Sequence, residues 1–230
     1  MDQCYLCGED ASTVEQVPPP FLFAQLPTNI IQLPACQRCN GDASLDEQYL
    51  CTILSAMGYL TSAAAREVRE EFQRRPRGSA AQLAAGLSLQ AKALAGRIVG
   101  RLPRIGLDGE RAQRVVRKIA RGLVFHDCGK RLADNEVVLF RDTAAKLHCQ
   151  AFTQDWAETD MGEAFRYRAQ HDVDGSFIWL EFYRTRWWLA LTEEHARTYA
   201  RRPGSAGQAN ISPRTLRSDA TVEGAKSARI

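Results

Sequence analysis

Two Cys-x-x-Cys pairs, Cys4/Cys7 and Cys36/Cys39, leave the first forty residues of this chain little freedom. Each pair offers two thiolates from one tight turn, and four thiolates make a closed tetrahedral shell for zinc. Such a shell holds together a module too small to bury a core of its own. A redox centre needs only one such motif, so two of them, twenty-eight residues apart, predict a structural zinc site on Cys4, Cys7, Cys36 and Cys39. The total of seven cysteines is odd. Met1-Asp-Gln-Cys4 also lacks the charged and apolar regions of a signal peptide, which argues for reduced thiols rather than a disulfide framework. Cys51, Cys128 and Cys149 remain as core or surface thiols. No apolar run is long enough to span a bilayer. The expectation is a cytoplasmic protein without a membrane partner.

Charge divides the 230 residues further. The formal net charge of +3 hides segments of −6 (residues 1–60), +10 (61–131), −5 (132–200) and +4 (201–230). The pattern along the chain changes at the same places. Ser44-Leu-Asp-Glu47 reads as a capping box, with Leu50, Ile53, Leu54 and Met57 following at helical spacing. Helices are predicted over 62–75, over 80–99 on the stripe Leu83, Leu87, Ala91, Leu94 and Ile98, and over 110–122. From Glu136 the period shortens. Val137–Phe140 is a strand candidate, Phe165–Ala169 alternates with Arg166 and Arg168, and Asp174-Gly175 turns a hairpin into 177–183, before a strand over 187–191. Residues 201–230 read as a loose tail. The expected fold is α+β: an N-terminal zinc module (1–60), a basic helical middle (61–131), a small antiparallel sheet (132–200) and the tail.

A closed four-cysteine shell leaves no open position on its metal, so chemistry has to come from elsewhere in the module. Between the knuckles stand Val14-Glu15-Gln16-Val17-Pro18-Pro19, Thr28-Asn29-Ile30-Ile31 and Leu33-Pro34-Ala35, with Asn40 directly after Cys39. This order resembles the HNH endonuclease superfamily, whose ββα-metal fold is stapled by zinc, and in particular bacterial members reading Glu-His-Val-Pro-Pro before a Cys-x-x-Cys-Asn knuckle. The resemblance covers residues 4–50. It implies that Glu15 and Asn40 hold a catalytic Mg2+ or another divalent ion, that Asn29 orients the site, and that position 16 carries the general base.

Position 16 departs from that pattern. An imidazole accepts a proton from attacking water near neutral pH, whereas the Gln16 amide only orients a water by hydrogen bonds. Losing a general base costs about 10²–10⁴ in rate, and no histidine precedes His126. Taken singly, Glu15 reads equally as a strand-edge carboxylate, Asn29 as a turn residue and Asn40 as the residue that closes the second knuckle.

In the helix from Glu110, Arg111, Arg114, Lys118 and Arg121 recur at three- and four-residue steps and share one face. Such a stripe suits a phosphate backbone, without sequence specificity, and equally suits a solvated helix face. Trp179, Trp187 and Trp188 belong in sheet core sooner than on a base-stacking platform. The expectation is therefore an HNH-type, divalent-metal-dependent endonuclease acting on nucleic acid, DNA ahead of RNA. Its alternatives are a catalytically inactive nucleic-acid-binding module and a zinc-stapled protein-interaction module.

Overall fold

The computed structural model describes residues 2–59, 61–74, 108–141, 156–173, 175–184 and 186–192. The expected helix over 80–99, the tail, Asp174 and Cys149 lie outside them. The chain begins with an antiparallel pair, β1 (Thr13–Val17) and β2 (Ile31–Ala35), in which Glu15 faces Leu33 and Gln16 faces Gln32. Strand alternation buries Glu15, Val17, Ile31, Leu33 and Ala35 on one face and leaves Val14 and Gln32 exposed on the other. A short helix α1 (Gln37–Asp42) springs from the second knuckle, followed by α2 (Ser44–Gly58) and α3 (Ala63–Arg74).

The expected capping box at Ser44 does not form. Ala43 is the N-cap of α2 and makes no side-chain cap, while the Glu47 side chain is buried and turned away to a partner on another helix. In α3 the capping acid comes from far along the chain. Glu163 accepts from the N–H groups of Ala63 and Ala64 at 3.1 and 3.3 Å and from the Ser62 hydroxyl at 3.2 Å.

Helix α4 (Gly109–Cys128) is the longest described element. Asp108 caps its start, accepting from Glu110 and Arg111, and Gly129 ends it with φ 65, its N–H donating to Phe125 O at 2.8 Å. It therefore runs six residues past the predicted end at Gly122. Gly122 is a contact point, not a stop: a Cβ there would stand 2.9 Å from Val17 Cγ2 and 3.3 Å from Leu33 Cδ1. Its absence lets α4 lie directly on the β1–β2 pair.

The other side of α4 packs on a second sheet. Its strands are β3 (Val137–Arg141), β4 (Glu158–Asp160), β5 (Phe165–Asp172), β6 (Gly175–Phe182) and β7 (Arg186–Thr192), all pairing antiparallel in the order β3-β7-β6-β5-β4. The protein is thus α+β, as its patterning predicts, with the three-residue β4 added. Tyr167, Leu180, Phe182 and Trp188 join Val115, Ile119 and Leu123 of α4 and Val17 and Leu33 of the hairpin in one continuous core. Trp179 lies in a second cluster with Phe177, Leu189 and Leu191. Trp179 of β6 and Trp188 of β7 are buried in sheet core.

Gly→Ala in a helix interior ordinarily stabilises by about 1 kcal/mol. Gly122→Ala is expected to do the opposite, losing about 1–3 kcal/mol through overpacking against the branched Val17, which urea denaturation of the two proteins measures.

Candidate metal centre and the charged residues around it

The four predicted zinc ligands converge. Their sulfurs all lie within 4.8 Å of one another, and Cys7 and Cys36 from opposite knuckles are 3.7 Å apart. Tetrahedral zinc with bonds of about 2.3 Å spaces its sulfurs by about 3.8 Å, so this cluster can hold such an ion. The first knuckle is a tight turn through Gly8, at φ 82, closed by Gly8 N–H to Cys4 O at 2.9 Å. The second is the start of α1, where Cys39 N–H donates to the Cys36 sulfur. Backbone bonds from Tyr5 N–H to Pro34 O and from Ser12 N–H to Ala35 O lock the knuckles together. Burial opposes ionisation of Cys4, yet N–H groups of Cys36, Cys7 and Leu6 bring its pKa down to about 6. A thiolate is the ligating form, so the turn prepares this residue for a metal.

The residues aligned with a catalytic site are placed separately. Glu15, only 4% exposed, faces inward from β1, where its Oε1 lies 2.8 Å from Lys118 Nζ. Glu47 of α2 takes the same ammonium at 2.7 Å. Burial pushes the Glu15 carboxyl up to about 7, outweighing the pull of Lys118, with Glu47 adding to the rise. Gln16, next along the strand, points to the other face. Asn29 is exposed in the turn between the strands and donates to Asp160 O at 3.0 Å. Asn40 donates to Thr13 Oγ1 at 3.1 Å and to Val14 O at 3.3 Å, tying α1 to β1. Each of Glu15, Asn29 and Asn40 bonds to a partner outside this set of four. This donor set does not fit a catalytic divalent ion, because the one carboxylate among them is buried and already neutralised by an ammonium.

The cationic face of α4 is also turned to the interior of the fold. Arg111 Nε meets Asp46 Oδ1 at 2.6 Å and its guanidinium lies over the Tyr49 ring at 4.3 Å. Arg114 reaches the other Asp46 oxygen at 2.8 Å while staying 53% exposed. Arg121 donates to Leu132 O at 2.8 Å and to Leu6 O at 2.9 Å, and Arg131 donates to Cys4 O at 3.1 Å. The stripe thus grips α2 and the first knuckle. The residues a local reading misses here are Asp46 and Glu47. Their signal is complementarity between segments: adjacent acids on one helix opposite cations spaced at three and four on another.

No protein-family profile, curated protein or solved structure matches this chain. Among the described residues no helix is long and apolar enough to cross a membrane.

Two outcomes are expected. Cys36→Ser should retain well under one equivalent of bound zinc by elemental analysis and melt roughly 10 °C or more below the parent. Glu15 holds its proton more tightly folded, at about 7, than at its ordinary 4.5. Its contribution to stability is therefore full below pH 4.5 and is lost as pH rises through about 7. Urea unfolding at pH 5 and pH 8 should show a fall with rising pH, on the order of 2 kcal/mol, that is missing from Glu15→Gln.

Proposed function

We propose that this chain is a hydrolytically silent relative of the HNH nucleases, a zinc-stapled ββα module that binds nucleic acid without cutting it. The observation that carries this reading is the Lys118 ammonium on Glu15. A phosphodiesterase of this class needs a metal against the scissile phosphate and a base beside the attacking water. Here the metal-side carboxylate is buried and paired at 2.8 Å, and the base position is an amide on the opposite strand face. Structural zinc on Cys4, Cys7, Cys36 and Cys39 adds rigidity and no chemistry, since a closed thiolate shell admits no water.

Nucleic acid is the ligand class that the charge supports. Residues 75–107 carry six basic side chains and no acidic one, and Arg114 keeps half of its surface in solvent. Contacts of this kind bind the backbone and do not read bases. A protein-interaction role is the second reading, favoured by the inward turn of Arg111, Lys118 and Arg121.

Purified zinc-loaded protein with Mg2+ or Mn2+ is expected to leave supercoiled plasmid and single-stranded DNA uncut. It should retain labelled DNA with an affinity that falls steeply as salt rises from 50 to 200 mM, about tenfold or more if several phosphates are contacted. Gln16→His alone should not restore cutting. Metal-dependent nicking abolished by Glu15→Ala would show an active nuclease instead. Absent or salt-insensitive DNA binding would move the assignment to a protein partner.

A further inference from the structure

Glu15 from β1 and Glu47 from α2 converge on one ammonium, that of Lys118 from α4, at 2.8 and 2.7 Å. All three side chains are less than a tenth exposed. One cation facing two carboxylates leaves, once both are ionised, an excess of negative charge and of oxygen lone pairs. The excess is visible in the structure: Glu15 Oε2 is buried without a hydrogen-bond partner. An orphaned carboxylate oxygen in a protein interior is costly. A simple buried ion pair would not need the second acid, and leaving any one member uncompensated is strongly destabilising. Two convergent carboxylates are, however, the hard donors and the charge that suit one Mg2+ or Mn2+ ion.

We propose that Lys118 is a tethered cation seated in a divalent-metal cradle made by Glu15 and Glu47, and that its ammonium excludes Mg2+ and Mn2+ from the hairpin. This rests on the reading of the chain as a silent nuclease relative, and it identifies the group that takes the metal's place. It differs from the arrangement the HNH resemblance implies, because the second acid is Glu47 of α2 rather than Asn40. The long Lys118 side chain spans the same gap that an ion would fill, and shortening it to alanine keeps the helix propensity of α4 while vacating the cradle.

The test uses the full, zinc-loaded chain and MnCl2 as probe. Lys118→Ala is expected to bind one equivalent of Mn2+, read from the loss of the free-ion signal in electron paramagnetic resonance, and to melt about 5 °C or more higher in 1 mM Mn2+. The parent protein, Lys118→Ala/Glu15→Gln and Lys118→Met should bind at least tenfold less, the last because its apolar chain refills the gap. If Lys118→Ala is unfolded without metal, Mn2+ should restore its folded circular-dichroism spectrum. A Lys118→Ala protein whose Mn2+ binding and melting match those of Lys118→Ala/Glu15→Gln overturns the proposal, as does equal binding by Lys118→Met. DNA cleavage by the parent protein would sink the silent-relative reading without touching the Mn2+ result, so the two failures are distinguishable.

Discussion

The ammonium of Lys118 between Glu15 and Glu47 is the interaction on which the arrangement of this fold depends. A charge nine-tenths buried has to be compensated inside the protein, because removing one member of such a cluster costs several kcal/mol. The three side chains come from β1, α2 and α4, so compensation can be met only when hairpin, first long helix and central helix stand in one mutual arrangement. Hydrophobic packing supplies the bulk of the free energy through Val17, Leu33, Val115, Ile119 and Leu123. Packing alone tolerates slippage of a helix along a sheet, whereas a three-way charge contact does not. Gly122, one helical turn beyond Lys118, sets the close approach that brings the ammonium within reach.

The segmental charge of the chain follows from the same arrangement. The acidic first sixty residues and the basic stretch after them are, in part, the two sides of one internal interface. Asp46 takes Arg111 and Arg114, Glu47 and Glu15 take Lys118, and the knuckle carbonyls of Cys4 and Leu6 take Arg131 and Arg121. Half-buried pairs of this sort exceed solvent-exposed ones in worth, and they orient elements more than they stabilise them. The four-cysteine cluster gains directly, since two guanidinium groups fix the carbonyls of the turn that holds its first two thiols. A staple and a clamp therefore act on the same few residues. Cations left outside this interface are the ones on which the proposed nucleic-acid role rests.

Much of the secondary structure was legible in the pattern of residues. Four thiols at knuckle spacing, the stripe of α2, the alternation of β5 and the apolar run of β6 each carry their own local period, and the structure follows them. Legibility ended where a residue's role depends on a distant partner. Glu47 has the spacing of a capping acid, but Lys118, seventy-one positions away, takes its carboxylate. Gly122 has the look of a helix terminator, but Val17 and Leu33 across the interface explain it, and Gly129 ends the helix. β4 is too short to have a period at all. The candidate catalytic residues were legible only as an order along the chain, and order does not tell whether neighbours on a strand share a face. Glu15 and Gln16 cannot, because successive side chains alternate.

By itself the sequence determined that four cysteines would meet, that the described parts of the arginine-rich middle, 63–74 and 109–128, would be helical, and that the later segment would form antiparallel strands. These follow from ligand chemistry and from backbone periods of 3.6 and 2, which act over a few residues. Only the tertiary structure decided what the charges do. A local period says which side chains share a face, not whether that face meets water, phosphate or another element of the same chain. For α4 it meets α2 and the first cysteine knuckle. The carboxylate that the chain order offers to a metal ion is met instead by a lysine.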